Sequence, residues 1–380
     1  MAALSIVFWF LVFLIFYTYL GYPLLLYISS FVRRQSVLVG NELPSLSIII
    51  PAYNEEKVIA RKLENTLSAD YPQELLEIIV VSDASTDKTN EVVDNFKERG
   101  AQLIVNRERR GKTYSLNQAV KIATGDILVF TDANAMFEKG SFRELVRGFA
   151  DPQIGLITGS TRYFTRGEDE SVVMTMSSYT RFERFIKVLE TQIASCVGAD
   201  GAIFGLRKKL YRPLAETDIN DFVMPLDVIR QGYRVIFNDR AFSVEEHPHN
   251  ESEEFQRQVR IANRTIRGII AHRDVLNPFR HGVFSLMLWS HKVMRFMFPW
   301  FIMLLLIVSM ALSFYAGYFY KAAFGGFCGL TILSVLSRRL GWRYFSFLRA
   351  FVYTNEAILV AWKSVVANQT IVTWERSSDG

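Results

Sequence analysis

Three polar clusters, each directly after a short apolar run, are the residues of this sequence best equipped for chemistry: Tyr53-Asn54-Glu55, Asp83, and Asp132 with Asn134. An Asp-x-Asn pair offers hard oxygen ligands, as suits Mg2+ or Mn2+, cations that take few protein ligands and complete their shell with substrate phosphate. A metal held there would neutralise the charge that builds on a departing pyrophosphate. No glycine-rich phosphate loop of either standard spacing follows the first run, which disfavours a Walker or dinucleotide site. Any one cluster is also what caps a following helix. Three of them at three strand ends point to one rim. Farther along, the glycines of GADGAIFG (198–205), Gly201 among them, either let the backbone approach a ligand or turn the chain. Asp221 closes ETDIND (216–221) and opens a helical segment, where the helix dipole favours a carboxylate. To act as a base it must face the same rim as Asp132.

The elements that position these residues alternate. Ser45 to Ile50 (SLSIII) reads as a strand stopped by Pro51, followed by a helix with Ile59, Leu63 and Leu67 on one face. Glu77 to Ser82 is a second strand, with Asn90 to Lys97 helical after it, and Gln102 to Val105 a third. Thr113 to Ala123 reads as a helix and Asp126 to Thr131 (DILVFT) as a fourth strand that runs straight into Asp132. Such alternation implies right-handed crossovers on a mostly parallel sheet. Ligands bind beyond the carboxyl ends of its strands. Phe222 to Gln231 is helical, and Glu253 to His272 carries Phe255, Val259, Ala262, Ile266 and Ile269 on one face. Arg257, Arg260, Arg264 and Arg267 fall opposite, within about 80° of one another. Such a stripe faces solvent or anionic headgroups, or pairs with a pyrophosphate bidentately, for which Arg260 is the candidate.

The ends of the chain are of another character. Leu4 to Val32 holds no charged side chain, more than the roughly 20 residues needed to cross a bilayer, and Arg33-Arg34 follow at once. Val283 to Phe298 reads as a helix in the membrane interface, Pro299 to Tyr320 as a span, and Lys321 to Ser337 as a return toward the basic residues Arg338, Arg339, Arg343 and Arg349. Tyr344 to Ala367 reads as an interfacial or re-entrant helix. The expected organisation is a membrane segment over 1–43, a cytoplasmic domain over 44–281 and interfacial and membrane helices over 282–380. That is an integral protein of the plasma (inner) membrane. Half of the residues are hydrophobic and 14% aromatic, which excludes a disordered chain. A net charge of +5 is too mild to argue for nucleic acid, and two cysteines cannot build a disulfide framework.

Read in order, the motifs resemble those of the membrane-bound family 2 glycosyltransferases, the cellulose-synthase-like and hyaluronan- and chitin-synthase-like group. SIIIPAYNEE resembles that family's first nucleotide-binding element, with Ala52, Tyr53 and Glu55 at the donor, and VVSDASTDKT its second, where Asp83 would contact base and ribose. RGKTYSLNQAV resembles the Lys-x-x-x-Leu-Asn element and implies a donor-phosphate or sugar role for Lys112 with Asn117 nearby. VFTDANAMF stands at the metal-binding Asp-x-Asp position, ETDINDF at that of the catalytic base, Asp221, and RQVRI, with Arg257 and Arg260, at the Gln-x-x-Arg-Trp position. The tail VTWER resembles a Trp-containing tail of such proteins.

The resemblance implies a GT-A-type nucleotide-sugar-binding α/β sheet, mostly parallel, with transmembrane and interfacial helices at both ends. It implies a nucleotide-sugar donor, UDP being the family's common nucleotide, a glycan or glycolipid acceptor, membrane lipids as surroundings, and Mg2+ or Mn2+. Inversion at the anomeric carbon would follow from Asp221 deprotonating the acceptor hydroxyl. The departures are Asn134 for the second metal carboxylate, Arg257 for Gln and Ile261 for Trp. The last two weigh against processive synthesis. Two other readings stand beside this one: a polyprenyl-phosphate sugar synthase and a non-catalytic membrane scaffold of a polysaccharide export complex.

Overall fold

Every residue of strand β1, Leu46–Ala52, is buried, as expected of a β-branched run covered on both faces of a parallel sheet. The computed structural model describes residues 2–166, 172–175, 178–246, 251–315, 317–340 and 346–370; the tail motif VTWER and Arg343 lie outside them. The remaining strands are β2 Leu76–Ser82, β3 Ala101–Val105, β4 Ile127–Phe130, β5 Met136–Phe137, β6 Ile154–Arg166, β7 Val172–Thr175, β8 Phe204–Arg207 and β9 Arg234–Glu246. They form one sheet in the order β3-β2-β1-β4-β8-β6-β9-β5, with β7 on β6. The four strands from β3 to β4 are all parallel, β8 is antiparallel to both of its neighbours, and β6 and β9 are parallel again. Pairing of β1 with β4 ends at Ile49, so Pro51, which has no N–H to give, lies beyond that ladder.

Helix Ile59–Leu67 buries Ile59, Lys62, Leu63 and Thr66, a face rotated from the expected one: Leu67 is half-buried and a lysine takes a core position. Helix Lys112–Ile122 buries Leu116 and Ala119 and packs on β1 and β2. These elements belong to one compact unit, Ile28–His249 with Ile270–Leu286.

A second unit comprises Met1–Tyr27, Asn250–Ile269 and Met287–Thr370. Ala2–Val32 and Val283–Tyr315 are long and apolar enough to cross a membrane. In the most apolar window of the first, 17% of residues are buried, whereas a soluble core helix would be mostly buried. Phe8 and Leu11 meet Leu305, Val308 and Leu312, while Ile6, Phe10, Phe13, Ile307 and Phe314 face outward. A π-helical turn, Tyr17–Gly21, interrupts the first helix just before Pro23. A second π turn, Trp289–Val293, joins Val283–Leu288 to Met294–Tyr315, so the helix expected to start at Pro299 runs through that proline instead. Membrane helices tolerate this. The Tyr17 hydroxyl and Ser290 Oγ, 2.8 Å apart, tie the two π turns together.

The expected helix with the arginine stripe spans Glu251–Ala271. Its stripe is not uniformly solvated. Arg264 is buried, and Arg267 donates to Asn368 Oδ1 at 3.2 Å.

Candidate functional site

The site is built at the carboxyl ends of β1, β2 and β4. Asp83 follows β2, and its N–H donates to Ala52 O at 2.8 Å, fixing the two strand ends side by side. The Asp83 carboxylate is buried and fully engaged. Oδ1 accepts from Asn106 Nδ2 and the Arg110 N–H, both at 3.0 Å, and Oδ2 accepts from the Gly111 N–H at 2.7 Å. Loop 106–111 is thereby drawn over the strand ends. It brings the Arg109 guanidinium to 3.8 Å from the Tyr53 ring centroid. Glu55 is buried beside it, its N–H donating to Thr89 Oγ1 at 2.8 Å. Asn54 and Ala84, each next to one of these residues, have φ of +54° and +59°. Asparagine adopts that left-handed geometry readily and alanine does not, so backbone strain sits at the rim.

Helix Lys112–Ile122 begins at this point. Gly111 has a φ of +90°, a conformation open to glycine that turns its N–H onto Asp83 while starting the helix. The next residue, Lys112, places Nζ 2.5 Å from Asp132 Oδ1. The next again, Thr113, donates from Oγ1 to Asp218 O at 2.8 Å, in the loop that leads to Asp221. Arg110 is ion-paired with Glu216 in the same loop. Three successive residues thus touch the segments that carry Asp83, Asp132 and Asp221. Asn117 is a brace within this arrangement: its amide exchanges hydrogen bonds with Leu214 and accepts from the Tyr211 hydroxyl at 2.5 Å.

Asp132 and Asn134 lie in a turn just past β4, closed by the Ala135 N–H donating to Asp132 O at 3.2 Å. The Asp132 side chain is 38% exposed and already paired with a cation, the Lys112 ammonium. A carboxylate and an amide two residues on, both hard oxygen donors on half-buried residues, fit Mg2+ or Mn2+. Among the described residues no group of three or more His, Cys, Asp or Glu could hold a metal, so further ligands would come from substrate and water.

Beneath the turn lies Lys62, fully buried. Its Nζ donates to Thr131 Oγ1 at 2.9 Å and to Ala135 O, and stands 3.7 Å from the Phe137 ring centroid. Burial pushes its ammonium down to about 7, against the raising attraction of Asp132 and Glu245. The sequence reading missed Lys62, although it lies three residues after Ile59 on the apolar face. Arg109 was missed as well; the basic run RERRGK (107–112) was its signal.

Asp221 begins helix Asn220–Arg230, and its carbonyl accepts from the Ala199 N–H at 2.7 Å. That bond sets the 198–202 turn against it. A Cβ on Gly201 would stand 3.0 Å from Asp221 Oδ2, so the glycine permits this approach. Arg257 and Arg260 belong to the other unit, where Arg257 pairs with Glu254 at 2.9 Å.

Residues 47–214 match the model of Glycosyl transferase family 2. The probable glycosyltransferase YdaM of Bacillus subtilis (strain 168) is 28% identical over 232 residues, 54% of this chain and 52% of that protein. Poly-beta-1,6-N-acetyl-D-glucosamine synthase of Staphylococcus aureus (strain COL) is 30% identical over 171 residues, 44% of this chain and 40% of the synthase. The chain therefore spans about half or less of the length of these curated relatives. Among solved structures, the mannosyltransferase PcManGT from Pyrobaculum calidifontis, in complex with GDP-Man and Mn2+, superposes with a TM-score of 0.74 at 21% identity. The match covers 96% of this chain and 99% of that one. The α/β sheet is of the GT-A type, and the matches to the family model and to the two curated relatives support a glycosyltransferase.

Proposed function

We propose that the chain is a membrane-embedded inverting glycosyltransferase of the cellulose-, hyaluronan- and chitin-synthase-like group. It moves a sugar from a nucleoside diphosphate donor, with UDP as the first nucleotide to test, to a membrane-associated glycan or glycolipid. One observation carries this reading: Gly111, Lys112 and Thr113 touch Asp83, Asp132 and the Asp218 loop in succession. Donor recognition, diphosphate handling and proton abstraction are thereby drawn to one rim of a rigid sheet.

In this mechanism Tyr53, under Arg109, and Asp83 receive base and ribose. Lys112 turns from Asp132 to the donor phosphates. Asp132 and Asn134 would hold Mg2+ or Mn2+, which when bound supplies positive charge to the leaving diphosphate. Asp221 takes the proton of the acceptor hydroxyl, held in line by the sheet edge and the Gly201 turn. Ala52, Glu55, Asn117 and Gly201 shape the pocket. The apolar helices at the two ends anchor the domain in the inner membrane, with the basic residues after Val32 keeping it cytoplasmic. Ile261, in place of tryptophan, favours transfer of one or a few sugars.

The test is transfer of radiolabelled sugar from UDP- and GDP-linked donors by the purified full-length chain, with Mn2+ or Mg2+ and products sized. Asp221→Asn is expected to lower transfer by about 10²–10⁴-fold while leaving donor binding in place. Near-normal transfer by Asp221→Asn would indicate a lipid-phosphate acceptor, which needs no deprotonation. Absence of donor turnover with both nucleotides and both metals would indicate a scaffold subunit.

A further inference from the structure

A lysine without contact to water is costly to keep, because its ammonium loses hydration that only well-placed partners replace. Helix Ile59–Leu67 has no packing need for a cation at this place: Ile59 and Leu63 fill the same face with hydrocarbon. What the ammonium does have is a pair of oxygen acceptors that bracket a functional segment. Thr131 Oγ1 immediately precedes Asp132, and Ala135 O immediately follows Asn134. The Phe137 ring lies 3.7 Å away and closes the remaining side. The same helix grips the segment again one turn later, where Asn65 exchanges two hydrogen bonds with Phe137, at 2.9 and 2.7 Å. Helix and turn are thus clamped along their length, with the charged contact at the two residues that flank Asp132–Asn134.

We propose that Lys62 is a positioning residue for the Asp132–Asn134 turn: it pins both ends of the turn from beneath, so that the carboxylate and amide oxygens are presented together on the open side. The role rests on the metal-assisted transferase reading for its purpose, while the clamp itself can be tested without any metal. It also bears on Asn134. A site with one carboxylate fewer has less charge with which to gather a divalent cation, and depends more on its two donors being held in place. Lys62 touches neither donor. It acts through Thr131 and Ala135.

Two opposed effects make the test sharp. If Lys62 acted only as a nearby positive charge, removing it would tighten binding of a cation at Asp132. If it acts by positioning, removing it weakens that binding although a repulsive charge has gone. The experiment compares the full-length wild type with Lys62→Met, which keeps length and apolar bulk. It measures thermal unfolding, Mn2+ binding in the presence of UDP or GDP by the loss of the free Mn2+ paramagnetic signal, and hydrogen exchange of the 131–136 amides in metal-free protein. Lys62→Met is expected to remain folded, to exchange these amides about tenfold faster with β1 unchanged, and to bind Mn2+ about 10–100-fold more weakly.

Unchanged amide protection in the turn, or, where the wild type binds Mn2+, binding by the variant that is equal or tighter, overturns the proposal. Should Lys62→Met fail to fold, Thr131→Val removes one of the two anchors in an isosteric way. The same loosening, smaller in size, is then expected, and its absence is equally decisive. A loosened turn in a chain whose wild type takes up no Mn2+ would uphold the clamp and defeat the metal-assisted reading.

Discussion

The two halves of the sheet carry the proposed chemistry in different ways. On one side, β3, β2, β1 and β4 run parallel, and β1, β2 and β4 each contribute a polar residue at their own end, just after a buried run. On the other, β8, β6 and β9 pair across long separations, and the register of β6 with β9 shifts at Ile154/Leu156 and Thr158/Ser160. There the proposed base comes from a helix start, and the turn at Gly201 is aimed at it by pairing rather than by adjacency. The donor half is written locally; the acceptor half is assembled. Damage to the first should therefore appear as lost donor affinity, and damage to the second as lost turnover at unchanged affinity.

Beside the loss of the base in Asp221→Asn, the largest effect is expected in the donor half. Both oxygens of Asp83 accept N–H groups, so in Asp83→Asn the new NH2 meets a donor whichever way the amide turns. A loss of roughly 1–3 kcal/mol in loop stability follows, and nucleotide affinity, read by calorimetry, should fall by about tenfold or more. Normal affinity in a folded variant would break the division. A smaller effect is expected across the sheet. In Gly201→Ala the added methyl stands 3.0 Å from Asp221 Oδ2 and must displace it by a few tenths of an ångström. Turnover should drop by about tenfold through misalignment, with donor KM unchanged. A raised KM with intact kcat would place Gly201 at the donor instead. The smallest effect is again at the donor rim. Ala84→Gly relieves a left-handed alanine at φ +59° and should stabilise the chain by about 1 kcal/mol in thermal unfolding, less what the freer unfolded chain takes back.

The same contrast governs what the sequence discloses. β1, β2 and β4 were legible because parallel strands buried on both faces are largely apolar runs, and because polar residues must follow where the sheet ends; β3, the half-exposed edge strand, was legible from its short apolar stretch alone. β6 and β9 were not, since IGLITGSTRYFTR and RVIFNDRAFSVEE mix polar and apolar residues and owe their form to each other. Asp221 was legible as a helix start; its approach to Gly201 depends on folding over distance. Lys62 shows a third case. Its position on the apolar face was visible, but a lysine there reads as a flaw in the pattern until Thr131 and Ala135 are seen beside it. The stripe of four arginines erred the other way, because helix periodicity describes faces and not what packs on them.

The start of helix Lys112–Ile122 has a consequence for how this protein can vary. Since neighbouring positions there serve separate strands and loops, one inserted residue would swing each side chain about 100° around the axis and uncouple all of its partners at once. Surface connections elsewhere can lengthen or shorten with little penalty. Across Gly111, Lys112 and Thr113 the spacing itself is what any functional redesign of the domain would have to keep.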